Sequence, residues 1–105
     1  MAPMTWGRPT ALANVTGGDP STGTSHTIPS GATNYFIYAV GSAGDRVHHR
    51  TAATSSVTGL AANSFIGPVG QLLGPFAISS QSDKEVQVAE AGTGITAYYI
   101  SFTRG

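Results

Sequence analysis

The chain has 105 residues, 10% of them charged, with five Lys and Arg against five Asp and Glu, no cysteine and a formal net charge of zero. That length holds one domain. The balance of charge excludes a broad phosphate-tracking nucleic-acid surface, and the lack of cysteine excludes disulfides and thiolate metal sites while leaving the redox compartment open. The longest apolar run, the six residues of YFIYAV, is far too short for a membrane-spanning helix. An average soluble domain is roughly 25% charged. Because charge is depleted at interface cores, part of this surface is expected to be buried against copies of the chain or a partner.

Residues 1–24 read as an extended N-terminal arm, since TGGDPSTGTS forms turns and offers little to a core. That leaves 25–105 as a single β-sandwich domain. The opening MAPMTWGRP has no apolar h-region, so no signal peptide is expected. Without one, the glycosylation pattern NVT at Asn14–Thr16 reads as a chance match. Trp6 in the arm either folds back as a lid on the domain or anchors in a neighbour, where Trp is favoured.

SHTIP predicts a short strand and SGATN a turn. NYFIYAVG, Asn34 to Gly41, is the strongest strand. Its two faces are Tyr35, Ile37, Ala39 and Phe36, Tyr38, Val40, both apolar, whereas a strand with one wet face alternates with polar residues. It is therefore expected to be covered on both sides, by a second sheet and by something else.

A strand is expected from about Arg46 to Thr54, with a turn near Gly59. GLAANSFIGPVGQLLGPF is apolar, but its glycines argue against regular structure. It reads as a long loop, Leu60 to Phe76, that either caps the sandwich or meets another subunit. GPFAISS and KEVQVAEA predict a hairpin around SQSD, and ITAYYISFT, Ile95 to Thr103, the last strand. Helical signals are nearly absent. Short strands with Gly-rich turns give an all-β expectation, a small antiparallel β-sandwich, with the jelly roll as one arrangement open to it.

One stretch concentrates the chemistry. Of the five basic, five acidic and three histidine side chains, five lie within GDRVHHRT: Asp45, Arg46, His48, His49 and Arg50. On a strand, Arg46, His48 and Arg50 share one face while Val47, His49 and Thr51 share the other. His48 and His49 then point apart, which argues against a shared zinc ion, since that needs three or four converging ligands. No nucleophile elbow and no phosphate loop occurs. The remaining readings are a basic stripe that contacts an acidic partner or pairs with Asp83, Glu85 or Glu90, and a solvated face. Neither an enzymatic activity nor a cofactor is expected.

The short cysteine-free chain, its low charge, its Gly/Pro/Thr-rich N terminus, its two-faced aromatic strands and its apolar Gly-rich loop together resemble the small virion proteins of tailed bacteriophages, in particular capsid decoration (cement) proteins. The likeness is one of type over the whole chain, without a family motif. It implies assembly as trimers or other symmetric oligomers on the major capsid protein or another virion protein, and hence location in the virion. On that expectation Trp6, Arg8, Arg46, His48 and Arg50 meet the partner. Tyr35, Tyr38, Phe65, Ile66, Leu72, Leu73, Tyr98 and Tyr99 meet other copies. The alternative is a carbohydrate-binding or lectin-like β-sandwich, in which Tyr35, Tyr38, Tyr98 and Tyr99 stack on sugar rings.

Overall fold

A computed structural model describes residues 10–18, 20, 23–57, 64–78, 83–91 and 94–104. Trp6 and Arg8 of the expected arm, and Leu60 of the expected loop, lie outside the described residues. The fold is all-β, with strands β1 (Thr10–Gly17), β2 (Thr24–Thr27), β3 (Asn34–Gly41), β4 (Arg46–Ala52), β5 (Phe65–Pro68), β6 (Leu72–Ala77), β7 (Glu85–Ala91) and β8 (Ile95–Arg104).

They form two antiparallel four-stranded sheets, the first in the order β1-β8-β3-β6 and the second in the order β2-β7-β4-β5. β1 pairs with β8, β2 with β7, β3 with β6 and β4 with β5, as in one long hairpin folded at the β4–β5 connection. Rolling that hairpin joins β3 to β8 and β4 to β7. This is the connectivity of the jelly roll, two Greek keys closed face to face.

The core lies between the sheets. Tyr35, Ile37, Ala39, Ile95, Tyr98, Ile100 and Phe102 from the first sheet meet Val47, Val86 and Val88 from the second. Each large apolar side chain buried there contributes about 1.5–3 kcal/mol relative to leaving it in water. The period-two pattern is what sends these residues inward, because directly opposed residues in an antiparallel pair share a face. Tyr35 opposes Phe102, Ile37 opposes Ile100 and Ala39 opposes Tyr98.

Three expectations are corrected. Thr10–Gly17 of the expected extended arm is a strand of the first sheet: Ala13, Val15 and Gly17 oppose Phe102, Ile100 and Tyr98 on the inner face. Its inward residues are small, so the alternation is faint in the sequence. Leu60–Phe76 is not one irregular loop, because it contains β5 and the start of β6. Gly67 lets Leu73 approach closely there, since a Cβ would come 2.5 Å from Cδ1 of Leu73 and that side chain would have to shift. Finally, β6 and β7 are no hairpin, for they belong to different sheets.

A bulge also interrupts the simple alternation of β8. Val40 opposes Ala97 but Gly41 opposes Ile95, so Thr96 is the extra residue. The bulge shifts the side-chain phase, and Ile95 turns into the core instead of sharing a face with Tyr99.

Candidate functional site

The two outer faces of the sandwich have different chemistry. On the second sheet, Arg46, His48 and Arg50 point outward while Val47 and His49 are buried, as the alternation predicts. The stripe is tied into the domain. His48 Nδ1 lies 2.9 Å from Ser64 Oγ, and Arg50 donates through Nε to Gln87 Oε1 at 2.9 Å. Gln87 in turn donates through Nε2 to the carbonyl oxygens of Thr54 and Ser56, at 2.9 and 3.0 Å, pinning the chain after β4 over this sheet. Of the acids considered as partners, Asp83 accepts a hydrogen bond from Thr51 and Glu85 one from Ser25. Glu90 opposes the inward-facing Val47 and accepts from the Ile95 amide. Arg46, at the start of β4, is exposed.

His49 points the other way, into an aromatic cluster. Its ring lies 4.4 Å from that of Phe76 and 5.5 Å from that of Phe65, centre to centre. Nδ1 meets Tyr35 Oη at 2.8 Å, while Nε2 is buried without a hydrogen-bond partner among the described residues. Burial, reinforced by neighbouring His48, pulls the imidazole pKa down to about 4. Burial likewise pushes the Tyr35 phenol up.

A second Tyr–His pair joins the sheets farther along. Tyr98 Oη contacts His26 Nε2 and lies 2.6 Å from Thr24 Oγ1. Burial lowers the His26 pKa, opposed by Glu85, and raises that of Tyr98, opposed by the Thr24 hydrogen bond. Neither pair opens onto a converging set of ligands: among the described residues no three His, Asp or Glu side chains come together to hold a metal.

The outer face of the first sheet is of another kind. Phe36, Tyr38 and Val40 of β3 lie beside Ser101, Tyr99 and Ala97 of β8, with Leu72 of β6 on one side and Asn14 and Thr16 of β1 on the other. Among the described residues no position on this face carries a formal charge. Leu72 is 64% exposed and Tyr99 46%. The Tyr38 and Tyr99 rings sit 6.4 Å apart and help line a shallow groove of about 310 Å³.

The residues expected to mediate self-association therefore divide. Tyr35 and Tyr98 are each 1% exposed and belong to the chain's own core, so they contact neither another copy nor a sugar ring. The reason is register, since both lie on the inward phase of their strands. Leu73 is half-buried against the core. Tyr38, Tyr99 and Leu72 share the aromatic face, whereas Phe65 and Ile66 are exposed at the β5 edge of the second sheet. Phe36, Val40, Asn14, Thr16 and Ser101 complete the face without having been singled out. The strand alternation carried the signal for Phe36 and Val40. It carried the signal for Ser101 too, two residues from Tyr99, whereas Asn14 and Thr16 of β1 are found only by pairing across the sheet.

Comparison with protein-family models, curated proteins and solved structures finds no match.

Proposed function

We propose that this chain is a non-enzymatic structural protein of a virus particle, which binds the particle surface as a homo-oligomer and stabilises it. The observation that carries this reading is the uncharged aromatic face of Phe36, Tyr38, Val40, Leu72 and Tyr99. Exposed apolar surface gathered on one side of a small domain marks an interaction site. A chain with a formal net charge of zero has little electrostatic protection against self-association. Jelly rolls also build many viral capsid and lectin domains, which supports the reading by analogy of fold alone. Weak contacts repeated around a symmetric assembly gain strength through effective concentration, so stabilising a shell needs no catalytic group.

A second reading draws on the same face. The Tyr38 and Tyr99 rings are flanked by Asn14, Thr16 and Ser101, and aromatic platforms with a neutral polar rim suit sugar rings. Solution mass by light scattering after size exclusion, over a dilution series, separates the two. A discrete multiple of 10.7 kDa that survives dilution supports the structural protein. A monomer at every concentration, together with saturable binding in a titration with neutral oligosaccharides, replaces it with the sugar-binding module.

A further inference from the structure

The four sheet edges are not equally protected. An unpaired edge is a row of open backbone donors and acceptors, and proteins blunt it with short strands, proline, bulges or charge. On the second sheet, the β2 and β5 edges each have four residues, and β5 ends in Pro68. On the first sheet, the β6 edge contains Pro75, which has no amide hydrogen to offer.

β1 is the exception. It has eight residues, TALANVTG, with neither proline nor charge. Its bulge falls near the start, between Ala11 and Ala13, and Ala13–Gly17 then runs in unbroken register with Phe102–Tyr98. Among the described residues no strand lies beyond it.

We propose that Ala13–Gly17 is a docking edge for the same strand of a second copy, paired antiparallel about a two-fold axis at Val15. The inference rests on the homo-oligomer reading and names the surface through which two copies meet. An antiparallel strand is complementary to itself, as an isologous contact requires. In this register Val15 faces its own counterpart. Ala13 faces Gly17, small against small on the inner side, and Asn14 faces Thr16, amide against hydroxyl on the outer side. No like charges meet. Thr16 lies beside Tyr99 in the sheet, so the joined sheets carry the two aromatic faces as one continuous surface across the seam. The contact is two-fold, unlike the trimer that the resemblance to decoration proteins implies.

Charge placed at the seam tests this. Asn14 and Thr16 are exposed, so Asn14→Lys with Thr16→Lys sets lysine against lysine across the axis twice. Asn14→Lys with Thr16→Glu sets lysine against glutamate instead. Both variants alter the same positions, so a general loss of folding cannot distinguish them. Like charges opposed across strands are destabilising. The full chain is expected to run at twice 10.7 kDa, the lysine–lysine variant to dissociate at concentrations about tenfold higher, and the lysine–glutamate variant to stay paired. A lysine–lysine variant that keeps the wild-type mass overturns the β1 contact and leaves the homo-oligomer reading standing. If the lysine–glutamate variant dissociates like the lysine–lysine one, the two-fold register is wrong. A wild-type chain that is monomeric throughout overturns both the contact and the reading it rests on.

Discussion

The Tyr35 hydroxyl of β3 and Nδ1 of His49 on β4 meet at 2.8 Å, a hydrogen bond between the two sheets beside the Phe76 ring. Both residues are 1% exposed. A buried hydrogen bond of this kind stabilises little by itself but is costly to break on one side only. Burial there also holds His49 in its neutral form, and an acid dependence follows.

His49 is a base whose folded pKa, about 4, lies below its ordinary 6.5. The unfolded chain therefore binds the proton first. The corresponding stability is complete above about pH 6.5 and is lost as pH falls toward 4, amounting to about 3 kcal/mol by linkage. Burial lowers His26 as well and acts with the same sign. Urea unfolding at a series of pH values is expected to show this loss in the wild type and a shallower one in His49→Phe. Parallel curves for the two proteins would remove His49 as the source.

Tyr35→Phe keeps the ring and deletes the hydroxyl, leaving both nitrogens of His49 without a hydrogen-bond partner among the described residues. The expected cost is about 1–3 kcal/mol. Tyr99→Phe, on the exposed face, is expected to shift stability by no more than about 0.5 kcal/mol. Thermal or urea denaturation of the two variants side by side checks the contrast.

Gly17 opposes Tyr98 across the β1–β8 pair, and a Cβ at this glycine would sit 2.0 Å from Cζ of the tyrosine ring. The ring cannot simply swing away, because Thr24 and His26 hold its hydroxyl. Gly17→Ala is expected to destabilise by about 1–3 kcal/mol through overpacking. Gly18→Ala, with open space around the new methyl, is expected to be near neutral. An equal effect at both positions would mean that backbone freedom, and not the Tyr98 contact, sets the cost.

Gln87 is fully buried and makes three of the hydrogen bonds on the outer side of the second sheet, one from Arg50 and two to the Thr54 and Ser56 carbonyls. Gln87→Leu fills the space but removes them, at an expected cost of about 1–3 kcal/mol. Hydrogen exchange measured through residues 52–57 is expected to accelerate more than exchange in β3 or β8. Uniform acceleration would show global destabilisation without release of this segment.

Much of this arrangement was legible in the residues. Alternation in NYFIYAVG and DRVHHRT divides each strand into the same two faces that the structure shows, and the all-β sandwich follows from strands punctuated by turns. The difficulties came where side chains are small or apolar throughout. In TALANVTG the inward residues past the bulge are Ala, Val and Gly, too slight to stand out against a Gly/Thr-rich background. In SFIGPVGQLLGPF the glycines concealed β5 and the start of β6, because Gly67 allows close approach to Leu73 and does not break the pairing.

The sequence by itself determined the secondary structure class and, away from bulges, the face on which each residue of a clear strand lies, because both depend on local geometry with a period of two. Only the tertiary structure decided which face is covered. Tyr98 and Tyr99 are neighbours of the same chemical type, yet one fills the core against Gly17 and the other stands on the open face beside Thr16. Strand order decided it as well: β6 and β7 adjoin in the chain but pair in different sheets. Both outcomes depend on how the hairpin rolls up, a choice made by packing among distant residues that no local pattern encodes.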